Sequence, residues 1–163
     1  MKSANEWPAA HVEMRAVSSL IPYARNSRTH SAEQVDQIVA SMREWGWTNP
    51  VLVDEAGMII AGHGRILAAQ KLGILEAPVM TARGWSEEQK RAYVLADNKL
   101  ALNAGWDMAT LTAELGDLKG MGFDIGLTGF SGTELAAMTG GTAGFTNPDD
   151  VPEPPAQAVS VLG

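Results

Sequence analysis

A short apolar run, Met58-Ile59-Ile60-Ala61, enters Gly62-His63-Gly64-Arg65 and passes at once into Ile66-Leu67-Ala68-Ala69-Gln70-Lys71-Leu72. This order predicts a strand, a tight turn and a helix that opens at Arg65. Two glycines permit the turn and a close backbone approach. The new helix presents unpaired N–H groups and the positive end of its dipole. Arg65 adds a forked, permanently charged donor. Gly62, His63, Gly64 and Arg65 together therefore predict a site for a phosphate-sized anion. A glycine turn alone would imply only a chain reversal; the arginine, the histidine and the flanking elements favour the anion. His63, with little beside it in such a turn, reads as a candidate catalytic base or as a hydrogen-bond donor to phosphate.

The surrounding pattern alternates short strands with capped helices. Val12 to Val17 alternates apolar and polar residues and predicts a half-buried strand. Ser31-Ala32-Glu33-Gln34 has the form of a capping box, opening a helix to about Trp45 with Val35, Ile38, Val39 and Met42 on one face. Pro50–Val53 and Met58–Ile60 predict two strands around the turn Asp54-Glu55-Ala56-Gly57. Ala77 to Ala82 predicts another, with Pro78 suited to a strand start or an edge. Ser86-Glu87-Glu88-Gln89 opens a helix through about Leu102. Two further helices are expected over Asp107–Met121 and Ser131–Met138, joined by an apolar, glycine-rich loop that packs down. The expected fold is α+β: a small mixed sheet flanked by helices over residues 12–105, a flexible lead at 1–11, a helical extension at 106–138, and an acidic, proline-rich linker or disordered tail at 139–163.

The chain has no cysteine, which excludes disulfides, thiolate metal sites and a cysteine nucleophile. No apolar run reaches membrane-spanning length, and the first residues lack the apolar stretch of a signal peptide. A cytoplasmic setting, in a bacterial or phage-infected cell, is expected. The net charge of −7 is unevenly spread: residues 1–105 hold eleven Lys or Arg and eleven Asp or Glu, whereas residues 106–163 hold Lys119 alone against eight acids. A neutral first part can still present a basic face to a polyanion.

Two other clusters would have to join the turn to make a site. Arg25-Asn26-Ser27-Arg28-Thr29-His30 is a basic loop leading into a helix, suited to anion or base recognition, with Arg25, Asn26 or Arg28 closing over a phosphate. Asp97-Asn98 lies on a helix of mostly apolar residues and could offer oxygens to a magnesium ion held against phosphates. Its plainer reading is an exposed helix face. Arg28, His30, Arg83, Lys90 and Arg91 are the candidate contacts for a DNA backbone. Contacts this few predict weak, non-specific binding, and no helix-turn-helix is evident for reading bases.

In order, these motifs resemble the ParB/sulfiredoxin superfamily, in its ParB N-terminal-domain-like branch, over roughly residues 12–105. Asn26-Ser27-Arg28 resembles the family's Asn-Pro-x-x-x-Arg segment and Pro50-Val51-Leu52-Val53 its Gln-Pro-Ile-x-Val strand. Gly62-His63-Gly64-Arg65 with Ala68-Ala69 is similar to its Gly-Glu-Arg-Arg…Ala-Ala phosphate motif, and Asp97-Asn98 to its Glu-Asn motif. The resemblance implies a nucleoside triphosphate, CTP or ATP, with magnesium. Departures narrow it. His63 stands where sulfiredoxins place their catalytic cysteine, which rules that activity out. Gly64 stands where ParB proteins, which bind and hydrolyse CTP, carry a second arginine, and Ala101 lies near the place of another. Free-serine kinases of the superfamily carry Gly-His-His-Arg, nearer to this turn.

A narrower likeness extends further. Gly-His-Gly-Arg, Ala96-Asp97-Asn98-Lys99-Leu100, Gly105-Trp106-Asp107 and Leu127-Thr128-Gly129-Phe130 look like the N-terminal region of phage and prophage DNA methyltransferases, in which an acidic, proline-rich linker precedes the catalytic part. No methyl-donor motif and no Asp/Asn-Pro-Pro-Tyr/Phe motif is present here. The resemblance thus implies a nucleotide-phosphate-binding module associated with DNA that regulates or targets a methyltransferase domain or partner. A metal-dependent DNA nuclease and a small-molecule, serine-type kinase are the alternatives.

Overall fold

A computed structural model describes residues 1–3 and 6–140. Four strands, β1 (Val12–Ala16), β2 (Val51–Val53), β3 (Ile59–Ala61) and β4 (Glu76–Thr81), form one sheet in the order β1-β4-β2-β3. β4 runs antiparallel to β1 and parallel to β2, while β2 and β3 form the hairpin around Asp54–Gly57. The helices are α1 (Ala32–Trp45), α2 (His63–Leu72), α3 (Glu87–Asn103), α4 (Met108–Gly120) and α5 (Gly132–Thr139). This is the mixed sheet flanked by helices that the sequence predicts, with the helical extension following it.

The short strands alternate their burden between two layers. Val51, Val53, Ile59, Ala77 and Val79 pack with Ile66 and Ala69 of α2 on one face, alongside Val17 and Leu20. Leu52 and Ile60 point the other way and meet Val94 of α3, with Tyr23 and Trp85 at the margin. Strands covered on both faces read as near-continuous apolar runs, as these do. Lys71 of α2 pairs with Asp36 of α1, which ties the two helices on their exposed side.

Several local expectations shift. α2 starts at His63, ahead of Arg65. β1 is an exposed edge, not a half-buried strand: Val12 is 52% and Met14 58% accessible, and among the described residues β4 is its one strand neighbour. Pro78 falls inside β4, which has neighbours on both sides. Pairing with β2 begins only at Val79, so the missing proline N–H lies before that ladder. Pro8–Ala10 of the lead form a 3-10 turn packed beside β4. The linker or tail expected from 139 lies, from 141 on, outside the described residues.

Two of the three expected capping boxes form. Ser86 and Gln89 form a full capping box, as do Ser131 and Glu134, and Asp107 caps α4 by accepting from the Thr110 N–H. At α1 only half the box forms. Ser31 accepts from the Gln34 N–H, but the Gln34 side chain turns instead to His30, Oε1 lying 3.1 Å from Nδ1. The loop between α4 and α5 does pack down, through a 3-10 turn at Ile125–Thr128 that touches α1 and a stacked pair of Trp45 with Phe123, centroids 6.3 Å apart.

Candidate functional site

Gly62 has φ +105°, which a side-chain-bearing residue adopts only under strain, and it starts α2 with no side-chain cap. The N–H groups of His63 and Gly64 come before the first intrahelical bond and, among the described residues, have no backbone acceptor, Gly64 itself being buried. That of Arg65 does not, since it bonds to the Gly62 carbonyl at 3.0 Å. Gly64 has a different cause from the one the sequence suggests. A Cβ there would lie 2.9 Å from Ile38 Cδ1 and 2.9 Å from His30 Cε1. The second glycine thus lets α1 and His30 close onto α2, and its flank is filled by protein.

The three separated clusters converge. Asn26, Arg28, His30, Gly62, His63, Gly64, Arg65, Asp97 and Asn98 line a single cavity of about 320 Å³. Arg28 holds the first cluster to the third: its Nη1 donates to Asn98 Oδ1 at 3.1 Å, and its own backbone N–H donates to Asn26 Oδ1 at 3.2 Å. Asn98 in turn donates to the Val94 carbonyl at 2.8 Å, which fixes its amide orientation. Arg65 Nη1 reaches the Pro50 carbonyl at 3.4 Å, leaving other guanidinium N–H groups to the cavity. Burial draws the Arg65 pKa down and nearby Asp97 draws it back up; the guanidinium stays charged. Sequence reasoning missed Gln34 and Ile38 in this wall. Gln34 was legible only as a cap residue, and Ile38 only as a core position of α1.

His63 is more enclosed than a bare turn would leave it. Its Nε2 accepts from the Tyr23 backbone N–H at 3.3 Å. Burial, then the charge of His30, holds its pKa below the ordinary histidine value. A ring that accepts at Nε2 and resists protonation carries its proton on Nδ1, so this ring is a donor from Nδ1.

Magnesium against phosphates needs carboxylate or carbonyl oxygens. Asp97 supplies one carboxylate to the cavity and fits that need. Asn98 does not in this geometry, because its oxygen faces the Arg28 guanidinium. Among the described residues no three His, Cys, Asp or Glu gather as a ligand set.

The remaining candidates scatter. Arg25 lies outside this cavity and lines a separate groove with Tyr23 and Arg91. Arg83 sits near Lys2 and His11, at the far side of the lead. Lys90 is neutralised: its Nζ lies 3.2 Å from Asp54 Oδ2 and 2.8 Å from Glu87 Oε1. Asp54 is 5% accessible and also accepts the N–H groups of Ala56 and Met58. Lys90 therefore holds the β2–β3 turn to α3 and is not a free cation for DNA.

Set beside known proteins, the sequence model of the ParB N-terminal domain matches residues 1–99, and that of the ParB-methyltransferase HTH domain matches residues 109–162. The chain belongs to the ParB N-terminal domain family. The ParB-like nuclease domain-containing protein YnaK of Escherichia coli (strain K12) is 54% identical over 77 residues, which is 47% of this chain and 88% of that protein. Among solved structures, the C-terminally truncated chromosome-partitioning protein ParB from Caulobacter crescentus, complexed with CTP-gamma-S, aligns over 79% of this chain and 70% of its own at 22% identity and a TM-score of 0.58. Sulfiredoxin from Arabidopsis thaliana aligns over 52% of this chain and 97% of its own, at 20% identity and a TM-score of 0.43.

The match at 109–162 corrects the expectation that the chain has no helix-turn-helix. α4, the 3-10 turn and α5 fall in that segment. The signal was hidden because the segment lacks the cations that mark a DNA-reading helix, Lys119 being its one Lys or Arg. Among the described residues no helix is long and apolar enough to cross a membrane.

Proposed function

We propose that this chain is a nucleotide-phosphate-binding module of the ParB type, associated with DNA, that regulates or targets a DNA-modifying partner. The observation that carries it is the convergence of Arg28, Arg65 and the uncapped start of α2 on one polar cavity. Two guanidinium groups and free backbone N–H groups suit phosphate oxygens in particular. The Caulobacter ParB of similar fold was solved with a CTP analogue, which makes CTP the first ligand to test and ATP the second. Asp97 is the residue that would hold magnesium between the cavity and a triphosphate, where the ion would neutralise phosphate charge. His63, a donor from Nδ1, serves as a binding group here, and proton abstraction by its Nε2 would first require release of the Tyr23 bond. The description of the 109–162 match supports a methyltransferase partner, and the module acts in the cytoplasm of a bacterial or phage-infected cell.

Nuclease is the second reading, raised by the description of the Escherichia coli relative. It ranks lower because the cavity offers a single carboxylate, whereas a two-metal site wants several converging acids. Kinase activity has no support beyond the turn itself. Calorimetric titration with CTP, ATP, GTP and duplex DNA tests the proposal: heat from at least one nucleotide is expected, and silence from all of them would overturn it. Magnesium-dependent nicking of plasmid by the wild type, lost in Asp97→Ala, would promote the nuclease instead.

A further inference from the structure

Outside the phosphate cavity, three grooves follow one another from the N-terminal lead across to α3. The first, about 370 Å³, is lined by Lys2, Trp7, His11 and Arg83. The second, about 490 Å³, is walled by Trp7, Pro8, Trp85, Ala92 and Tyr93 and offers little polar surface beyond Lys2 and Gln89. The third, about 410 Å³, contains Tyr23, Arg25, Arg91 and Ala92. Lys2, Trp7 and Pro8 belong to the first two, and Ala92 to the last two, so the grooves form a continuous track. Its order is cations, then three aromatic rings, then cations.

Two of the three rings are accessible, while Trp85 is half-buried against the Leu52–Val94 cluster. Trp7 is 49% and Tyr93 36% exposed. Trp85 and Tyr93 meet edge to face at 5.2 Å, and the Lys2 ammonium lies 5.8 Å from the Trp85 centroid. Of the acids beside the track, Glu13 pairs with Arg15, whereas Glu6, bonded by Ser3, keeps its charge next to Lys2, and Glu88 lies beside Arg91. Aromatic rings set between guanidinium and ammonium groups match a ligand that alternates flat apolar rings with negative charges. In duplex DNA the base faces are already stacked on one another. A single strand presents both its bases and its phosphates.

We propose that this track binds single-stranded nucleic acid, its bases against Trp7, Trp85 and Tyr93 and its phosphates against Lys2 and Arg83 at one end and Arg25 and Arg91 at the other. The proposal goes beyond the nucleotide cavity: the track shares no lining residue with it, and the two meet where Tyr93 neighbours Asp97 and Tyr23 neighbours His63. It also gives Arg25, Arg83 and Arg91 a common use, which a duplex lying on one face does not.

The test is fluorescence anisotropy of the full chain with labelled oligothymidylate, oligouridylate and a duplex of equal length. Single strand is expected to bind more tightly than duplex, with a salt slope of about −3 for four phosphate contacts. Trp7→Ala should weaken single-strand binding about tenfold, the loss of one stacked base, with an unchanged unfolding midpoint. Trp7→Phe, which keeps a ring, should restore most of it. The double variant Arg83→Ala/Arg91→Ala should flatten the slope by about 1.4. A preference between the two oligonucleotides would name DNA or RNA as the source. Duplex bound as tightly as single strand, or Trp7→Ala indistinguishable from wild type, would overturn the proposal.

Discussion

The sheet domain and the helical extension solve the problem of folding in different ways. In the sheet domain two apolar layers enclose the strands, and the buried apolar residues of the described chain all lie there except Leu115 and Leu135. The extension, α4 through α5, closes over those two leucines and leans on α1 through Phe123 and the 3-10 turn. Charge divides along the same line, with a balanced first part and an acidic second one. A deep core can hold a charged group in a fixed position beside a cavity, as it does with the half-buried Arg65. A thin, acidic helical unit has neither that rigidity nor the cations to grip a phosphate backbone alone. On the proposed function, ligand chemistry belongs to the sheet domain.

The comparison breaks most visibly in stability. Ile59→Ala, at a residue 1% accessible between sheet and α2, should cost about 4 kcal/mol. Leu135→Ala, at 9% accessibility in the extension, should cost about 2 kcal/mol, toward the low end for leucine truncation. Urea denaturation of the full chain measures both, and equal losses would erase the distinction between the two regions.

Next in size is the tie between the hairpin and α3. Asp54→Ala removes the acceptor of two backbone N–H groups and the partner of Lys90, for an expected loss of about 3 kcal/mol. Burial would raise the Asp54 pKa, but the Met58 N–H, Lys90 and the Ala56 N–H together hold it below the usual carboxylate value. Its contribution is therefore present above the unfolded pKa and is lost as pH falls through the lower folded one. A wild-type loss of stability in strong acid that Asp54→Ala does not share, read from urea midpoints, is the expected signature.

The smallest effect belongs to His63. Its folded pKa is lowered, so folding disfavours the protonated ring. Stability is full above the ordinary histidine pKa of about 6.5 and declines as pH drops below it toward the folded value. The decline between neutral and mildly acidic pH should shrink in His63→Gln. An unchanged decline would contradict the assignment to His63.

Much of this was legible in the sequence because local rules carried it. Ser86-x-x-Gln89 and Ser131-x-x-Glu134 announce their helices, and the strand–Gly62–helix turn announces itself through the glycine that φ +105° requires. What stayed hidden depends on distant partners. That Gly64 admits His30 and Ile38, that Lys90 is held by Asp54 36 positions away, and that Arg25 and Arg28 part to different grooves are facts of packing, which no spacing along the chain encodes. Exposure of Val12 and Met14 was hidden likewise, since alternation marks two faces of a strand without saying whether anything covers either. The helix-turn-helix match escaped because its charge pattern contradicts the usual signal.

The central claim is that Arg65, at the start of α2, holds a nucleotide phosphate. Calorimetric titration of the wild type and Arg65→Ala with whichever nucleotide binds tests it most directly. The account predicts a loss of about 1.5–3 kcal/mol of binding free energy, roughly ten- to hundredfold in affinity, the range for a charged hydrogen bond. Equal affinity in the two proteins, with Arg65→Ala still folded, would contradict it.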